Sequence, residues 1–281
     1  MLTIRKANSE DFERVYPLLE SFGESPIAKE TWRKIFVTPW HTDEDFCGYV
    51  LLNDDEVKGY LGLVFSQRIS HERNEKFCNM TSWIVTEDSR SKSLAMVLKA
   101  LELKDYTFTN FTASPTVAQI LVKLGFTEFA VDQLVLLPVP RSGMSGVEFS
   151  LDDIGENLDG EDRRIFDDHQ GLNCRHLLLQ SAKGKCYVLL KNTTRKRLPF
   201  AKVHYLSNVD VFHECIESLV AGICLRLRVF GLMVDERYLA GRTFRGARPY
   251  PHQRKAYFKS SSILDEKTID TIYSELVLLH N

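Results

Sequence analysis

The sequence predicts an α/β (α+β) protein of two domains, each a mixed, mostly antiparallel central sheet flanked by helices. Three observations lead there. Short β-branched and aromatic runs alternate with stretches of helical periodicity, a proline-, glycine- and serine-rich break falls at mid-chain, and the order of elements before the break recurs after it. At 281 residues and 44% hydrophobic, the chain can bury two cores of about 140 residues each. The predicted boundaries are a first domain at 1–138, a linker at 139–149 and a second domain at 150–281.

The formal net charge is −2, so the molecule as a whole has no polyelectrolyte character that would imply nucleic acid or anionic membrane as its main partner, and local patches are judged separately. The six cysteines include no C-x-x-C pair and lie mostly in apolar runs. They read as free thiols in a reducing compartment, with no metal site. The opening MLTIRKANSEDF carries no apolar leader, and no window approaches a membrane span, so a soluble cytoplasmic protein is expected.

Leu2–Lys6 opens as a strand, with Ser9 as helix cap, Glu10 and Asp11 in the first turn, and Phe12, Val15, Leu18 and Leu19 on one face. A second helix is expected within Pro26–Phe36, where Trp32 serves packing. Phe46–Leu52 and Val57–Phe65 flank Asn53-Asp54-Asp55-Glu56 and form an antiparallel hairpin. Gly59 and Gly62 inside it point to a bulge or a close backbone approach. His71 to Glu75 reads as a charged connection.

Met80–Val85 is a short buried strand bounded by polar Thr86–Arg90, and from Ser93 the spacing of Leu94, Val97, Leu98 and Leu101 gives a half-buried helix. A tight turn between strand and helix aims backbone N–H groups and the positive helix end at one point, and this turn holds Arg90, Ser91, Lys92 and Ser93. It is suited to holding phosphate. Tyr106–Thr112 follows as a strand, then Ser114-Pro115, a helix over Val117–Leu124 stopped by Gly125, and a strand Phe129–Leu137 that completes the sheet.

Arg90-Ser91-Lys92-Ser93-Leu94-Ala95 resembles the cofactor turn Q/R-x-x-G-x-G/A of the GNAT superfamily of acyl-CoA-dependent acyltransferases, with Ser93 in place of the middle glycine. SPTVAQILVKLGF resembles the later family segment N-x-x-A-x-x-L-Y-x-K-x-G-F at Lys123, Gly125 and Phe126; Ser114 stands at its asparagine, and Leu121 at the tyrosine that protonates the departing thiolate. The resemblance runs from Met1 to about Pro138 in element order. It implies that backbone amides of Trp83, Ile84 and Val85 bind the pantetheine arm and polarise the thioester, while those of Arg90, Ser91, Lys92, Ser93, Leu94 and Ala95 take the pyrophosphate. The activity it implies is transfer of an acyl group, most simply acetyl, from acetyl-CoA or another acyl-CoA to an amine or hydroxyl of a small-molecule or carrier-bound acceptor. No residue stands out as general base, so no catalytic residue is named; Cys78 lacks an identifiable partner base.

In the second half, Asp159–Asp168 is a charged helix, Arg175–Gln180 and Cys186–Leu190 pair as strands, Phe200–Leu206 is a third, Asp210 caps a helix to about Leu225, and Arg228–Val234 is a strand. Tyr49-Val50-Leu51-Leu52 recurs as Tyr187-Val188-Leu189-Leu190, which with the element order points to an internal duplication. Ser207-Asn208-Val209-Asp210 holds no cation-bearing turn, so the second copy is expected to be a degenerate GNAT-like domain. His169, Cys174 and His176 do not match a zinc spacing and read as packing residues.

Gly241–Ser262 contains no acid and interleaves Arg242, Arg245, Arg248, Arg254, Lys255 and Lys259 with Phe244, Tyr250, Tyr257 and Phe258. It is either a surface excursion tied down by aromatics or a dock for an anionic partner. Glu266–Tyr273 is expected as a helix and SELVLLH as an edge strand. The alternative to an enzyme is a non-catalytic ligand-binding or scaffolding protein that retains the fold, which Ser93 and Leu121 favour.

Overall fold

A computed structural model describes residues 2–21, 27–70, 73–139, 146–250, 255–261 and 266–279. In chain order the first elements are β1 (Leu2–Ala7), α1 (Phe12–Glu20), α2 (Lys29–Arg33), β2 (Gly48–Asn53), β3 (Glu56–Ser70), β4 (Arg73–Val85), α3 (Ser93–Ala100), β5 (Tyr106–Asn110), α4 (Pro115–Lys123) and β6 (Thr127–Phe129). There follow β7 (Gln133–Leu136), β8 (Glu148–Ser150), α5 (Gly160–Asp168), β9 (Cys174–Ser181), β10 (Gly184–Arg195), β11 (Leu198–Leu206), α6 (Val209–Leu227), β12 (Leu232–Asp235), β13 (Ala247–Tyr250), β14 (Ala256–Lys259) and α7 (Glu275–Leu278).

These strands make two seven-stranded mixed sheets, in the orders β1-β2-β3-β4-β5-β14-β6 and β8-β9-β10-β11-β12-β7-β13. The two orders are the same pattern used twice, and each sheet takes its sixth strand from the other half of the chain. One compact unit is Met1–Phe129 with Ala256–Asp265 and Tyr273–Leu279; the other is Ala130–Lys255 with Glu266–Ile272. The expected break at 139–149 is thus not where the first sheet ends. Phe129–Leu137 does not complete that sheet: its start is the edge strand β6, and β7 pairs with β12 and β13 in the second. A strand of four residues has no signature that says which apolar sheet it joins.

In the first unit, the predicted hairpin is formed by β2 and β3, with Asp54 in the left-handed conformation at its turn (φ 52°). β3 and β4 run on as a long hairpin from Gly59↔Val85 to Ser70↔Arg73, so Arg73 and Glu75 are strand residues, whereas His71 and Glu72 lie outside the described residues. Arg73 and Glu75 read as a connection because the charged residues of that extension lack the apolar alternation of a core strand. Asn8, not Ser9, caps the first turn, in a capping box with Asp11, which Arg5 holds at 2.6 Å.

Leu61, Leu63, Cys78 and Met80 pack on one face with Met96, Val97 and Leu121 of α3 and α4. Tyr60 points to the opposite face, where Phe36 stacks on it (4.9 Å, 13°) and meets Phe12 of α1. Trp32 is buried there, as its packing role requires.

In the second unit α6 covers β8 to β11, burying Val188, Leu190, Phe212, Ile216 and Val220. The repeated YVLL words are not equivalent: Tyr49–Leu52 lies on the second strand of its sheet and Tyr187–Leu190 on the third. The repeat resides in topology, and that word match is compositional. The tail differs from expectation as well. Only Glu266–Thr268 is helical in the 266–273 stretch, and Glu275–Leu278 is a helical turn where an edge strand was expected. No helix among the described residues is long and apolar enough to cross a membrane.

Candidate functional site

β4 parts from β5 halfway along its length. Their parallel pairing runs from Lys76↔Tyr106 to Asn79↔Thr109, while β4 stays on β3 as far as Val85. Thr86 N–H donates to Lys58 O at 2.8 Å. Because ladder groups alternate in direction along a strand, Ile84 also turns its N–H to β3, opposite Tyr60, whereas Trp83 and Val85 turn theirs toward the open edge. Three consecutive amides of an extended strand cannot face one ligand, so Ile84 drops out of the expected donor set. Trp83 adds a second donor to this stretch: its indole Nε1 is buried with no hydrogen-bond partner among the described residues.

A bulge re-aims this part of β4. Ser82 has φ 51°, and the register with β3 shifts between Tyr60 and Gly62. The two glycines of β3 answer to close approach: a Cβ on Gly59 would lie 2.9 Å from Val85 Cγ2, and one on Gly62 3.0 Å from Thr81 Cγ2.

The crotch of the fork is polar and buried. Ser66, Asn79, Thr81, Thr107 and Thr109 alternate with core-facing residues and are all buried on the opposite sheet face. Asn79 Nδ2 donates to Thr109 Oγ1 at 3.2 Å, and Asn110 Nδ2 donates across the gap to Met80 O at 2.9 Å. Glu275, which the sequence did not single out, joins them. It is 3% exposed, accepts from Thr112 Oγ1 at 2.7 Å through Oε1, and donates its backbone N–H to Asn79 Oδ1 at 3.4 Å. Nothing local in SELVLLH marks it, except that an acid inside an apolar run needs a reason for burial.

The turn after β4 takes a form other than the expected cup. Glu87–Lys92 is a 3₁₀ helix leading straight into α3, with Ser89 N–H donating to Thr86 O and Ser93 N–H to Arg90 O. A 3₁₀ helix spends its amides on carbonyls three residues back, so Arg90, Ser91, Lys92 and Ser93 do not offer a row of free N–H groups. Leu94 and Ala95 remain in the first turn of α3, which has no side-chain cap. The reason is local: no residue from Thr86 to Ala95 has positive φ, and a concave nest of amides needs one. Arg90 and Lys92 are exposed beside this turn. Asp88 ahead of it is partly neutralised, since Lys58 lies 3.3 Å away and Thr86 and Lys58 hold its carboxyl below the usual range.

No family model matches the chain, and no curated protein sequence matches it significantly. Solved structures do. A GCN5-related N-acetyltransferase from Anabaena variabilis superposes with TM-score 0.60 at 11% identity over 94% of this chain and 74% of that one. One from Kribbella flavida gives 0.60 at 11% identity over 92% and 70%. A candidate acetyltransferase from Pyrococcus horikoshii gives 0.60 at 14% identity over 100% and 96%.

The chain has the fold of the GCN5-related N-acetyltransferases.

Its two sheets are two GNAT-like domains, and the second repeats the fork in closed form. β11 pairs with β12 only at Ala201↔Leu232 and Lys202↔Met233. Beyond that, Tyr238 OH donates to His204 O at 3.4 Å, and His204 Nδ1 meets Thr271 Oγ1 at 2.7 Å. The helix after β11 is capped from within, because Asn208 Oδ1, not Asp210, accepts from Val211 N–H. Tyr238 and Thr271 thus engage His204 just past the last β11–β12 pair.

The remaining sequence candidates fall elsewhere. His169 sets each ring nitrogen against a carbonyl, Ile165 O and Ile272 O, while His176 meets Tyr187 OH at 2.7 Å. Cys78 is fully buried and its thiol is pushed well up by burial, which removes it as a nucleophile. The basic 241–262 stretch divides: β13 belongs to the second sheet and β14 to the first, where Tyr257 is core and Lys259 Nζ donates to Leu124 O at 2.6 Å. Arg242 lies 4.0 Å from Asp210, and Arg254 lies outside the described residues. A cavity of about 370 Å³ in the first unit, lined by Trp40, His41, Glu44 and Phe46 among others, holds none of the fork residues.

Proposed function

We propose that the first domain is an acyltransferase whose site is the β4–β5 fork, taking an acyl group, most simply acetyl, from acyl-CoA to an amine or hydroxyl. The observation that carries this is the early end of the β4–β5 pairing at Asn79↔Thr109, which leaves the Trp83 and Val85 amides directed at an open edge. Those two N–H groups bind the pantetheine arm and stabilise the oxygen of the thioester, on which negative charge grows as the acceptor attacks. Arg90, Lys92 and the first amides of α3 supply positive potential for the phosphates. Holding acceptor and thioester together in a buried fork supplies the rest of the rate.

The 3₁₀ start of the turn favours a second reading, in which the fork is kept but binds no diphosphate and the domain is a non-catalytic binding module. Calorimetric titration with acetyl-CoA separates them. The first reading expects binding that weakens about tenfold or more in Arg90→Glu; absence of binding at millimolar acetyl-CoA rejects it.

A further inference from the structure

We infer that Glu275, delivered to the fork from the far end of the chain, is the general base that takes the proton from the acceptor, an inference that rests on the acyltransferase reading of the fork. Asp11 and Glu275 are the buried acids among the described residues. Asp11 has a structural occupation, as the capping partner of Asn8 held by Arg5. Glu275 is placed otherwise. It sits on a helical turn of four residues, Glu275–Leu278, whose cap Ser274 is itself wholly buried, and that turn packs on the polar face of the first sheet where β4 and β5 separate.

Three contacts fix the group. Thr112, two residues beyond β5, donates to Oε1 at 2.7 Å; the Glu275 N–H meets Asn79 Oδ1, the side chain of the last β4 residue paired with β5; and Asn110 Oδ1 accepts from Thr112 N–H at 3.3 Å. Glu275 is therefore tied to both prongs of the fork, its carboxylate by Thr112 and its backbone N–H by Asn79. Burying a carboxylate costs several kcal/mol unless the site recovers it, and such groups collect where proton transfer is done. Asn79 of β4 and Thr112 beyond β5 contact Glu275, Asn110 of β5 supports Thr112, and the Arg68 guanidinium of β3 lies 5.4 Å from the ring of Tyr273, just before Glu275 in the chain.

The step is balanced. The acceptor nitrogen or oxygen attacks the thioester carbon, its proton passes to the Glu275 carboxylate, and the Trp83 and Val85 amides hold the oxyanion. Collapse breaks the C–S bond, and the proton returns from Glu275 to the thiolate, giving acylated acceptor and free CoA thiol with the carboxylate restored.

The test uses the full chain, acetyl-CoA, and a panel of primary amines, alcohols and water as acceptors, with released thiol as readout. Glu275→Gln keeps the shape and the Thr112 hydrogen bond. It is expected to bind acetyl-CoA within twofold of wild type and to lose about 100-fold or more in kcat. Wild type is expected to lose rate toward acid pH and the variant to show no such fall, and Glu275→Asp should recover part of the rate. Thr112→Val, which leaves the carboxylate in place but unaimed, should lower kcat about tenfold with KM unchanged. Turnover of Glu275→Gln within threefold of wild type, or an unchanged acid limb, overturns the assignment. If Glu275→Gln fails to fold, an unchanged kcat in Thr112→Val overturns it. Wild type that binds acetyl-CoA yet transfers to none of these acceptors overturns it too. Wild type that binds no acetyl-CoA rejects the reading of the fork itself.

Discussion

At Gly62 a single added carbon would press on the bulge from beneath, 3.0 Å from Thr81 Cγ2 and 3.2 Å from Thr81 O. Neither atom is the end of a flexible chain, so Gly62→Ala should cost about 1–3 kcal/mol, read from urea midpoints, and should weaken acetyl-CoA binding beyond what stability explains. His176 gives the protein a pH response. Burial, with the nearby His169 as a lesser cause, lowers its pKa from 6.5 to about 4. The unfolded chain then binds the extra proton between those values and the folded chain does not, so stability should fall as pH drops from about 6.5 toward about 4. His176→Gln should flatten that part of the curve, measured by denaturant unfolding at half-unit steps; an unchanged slope would show that His176 is not its source. Residues like these were only half legible. Gly62 was marked in the sequence as a bulge or a close approach, but nothing there placed Thr81 against it.

Among the elements, β4 does two jobs with two edges. Its β3 edge uses Ile84, followed just past the strand by Thr86, and its open edge presents Trp83 and Val85. Proline deletes an amide donor and is tolerated where that donor is outside the ladder. Val85→Pro should therefore fold, with its melting temperature within a few degrees of wild type, and lose acetyl-CoA affinity. Ile84→Pro should not fold cooperatively. Equal melting behaviour of the two variants would mean that the edge assignment is wrong. The strand and helix around this site were legible because β-branched runs and helical spacing are local signals. The turn between them was misread as a cup. Arg90 and Lys92 announced charge, but the backbone followed the all-right-handed path that a segment without glycine prefers.

For the whole molecule, the decisive feature is the trade of sixth strands between sheets. β14 pairs with β5 through Tyr257↔Asn110 and with β6 through Ala256↔Phe129, and Tyr257 is part of the first core. A fragment of residues 1–138 lacks that strand and should not unfold cooperatively in a thermal melt followed by circular dichroism. A sharp, reversible transition would show that the first sheet closes without β14. The sequence by itself determined the fold class, the repeat of element order and the strand–turn–helix that bounds the fork, because hydrophobic period and turn chemistry act over a few residues. Tertiary structure alone decided which sheet β7 and β14 join, which amides of β4 stay unspent, and that Glu275 meets Asn79 and Thr112. Those depend on edges and buried polar partners up to 196 residues apart, and no local pattern records which distant edge will satisfy a backbone donor.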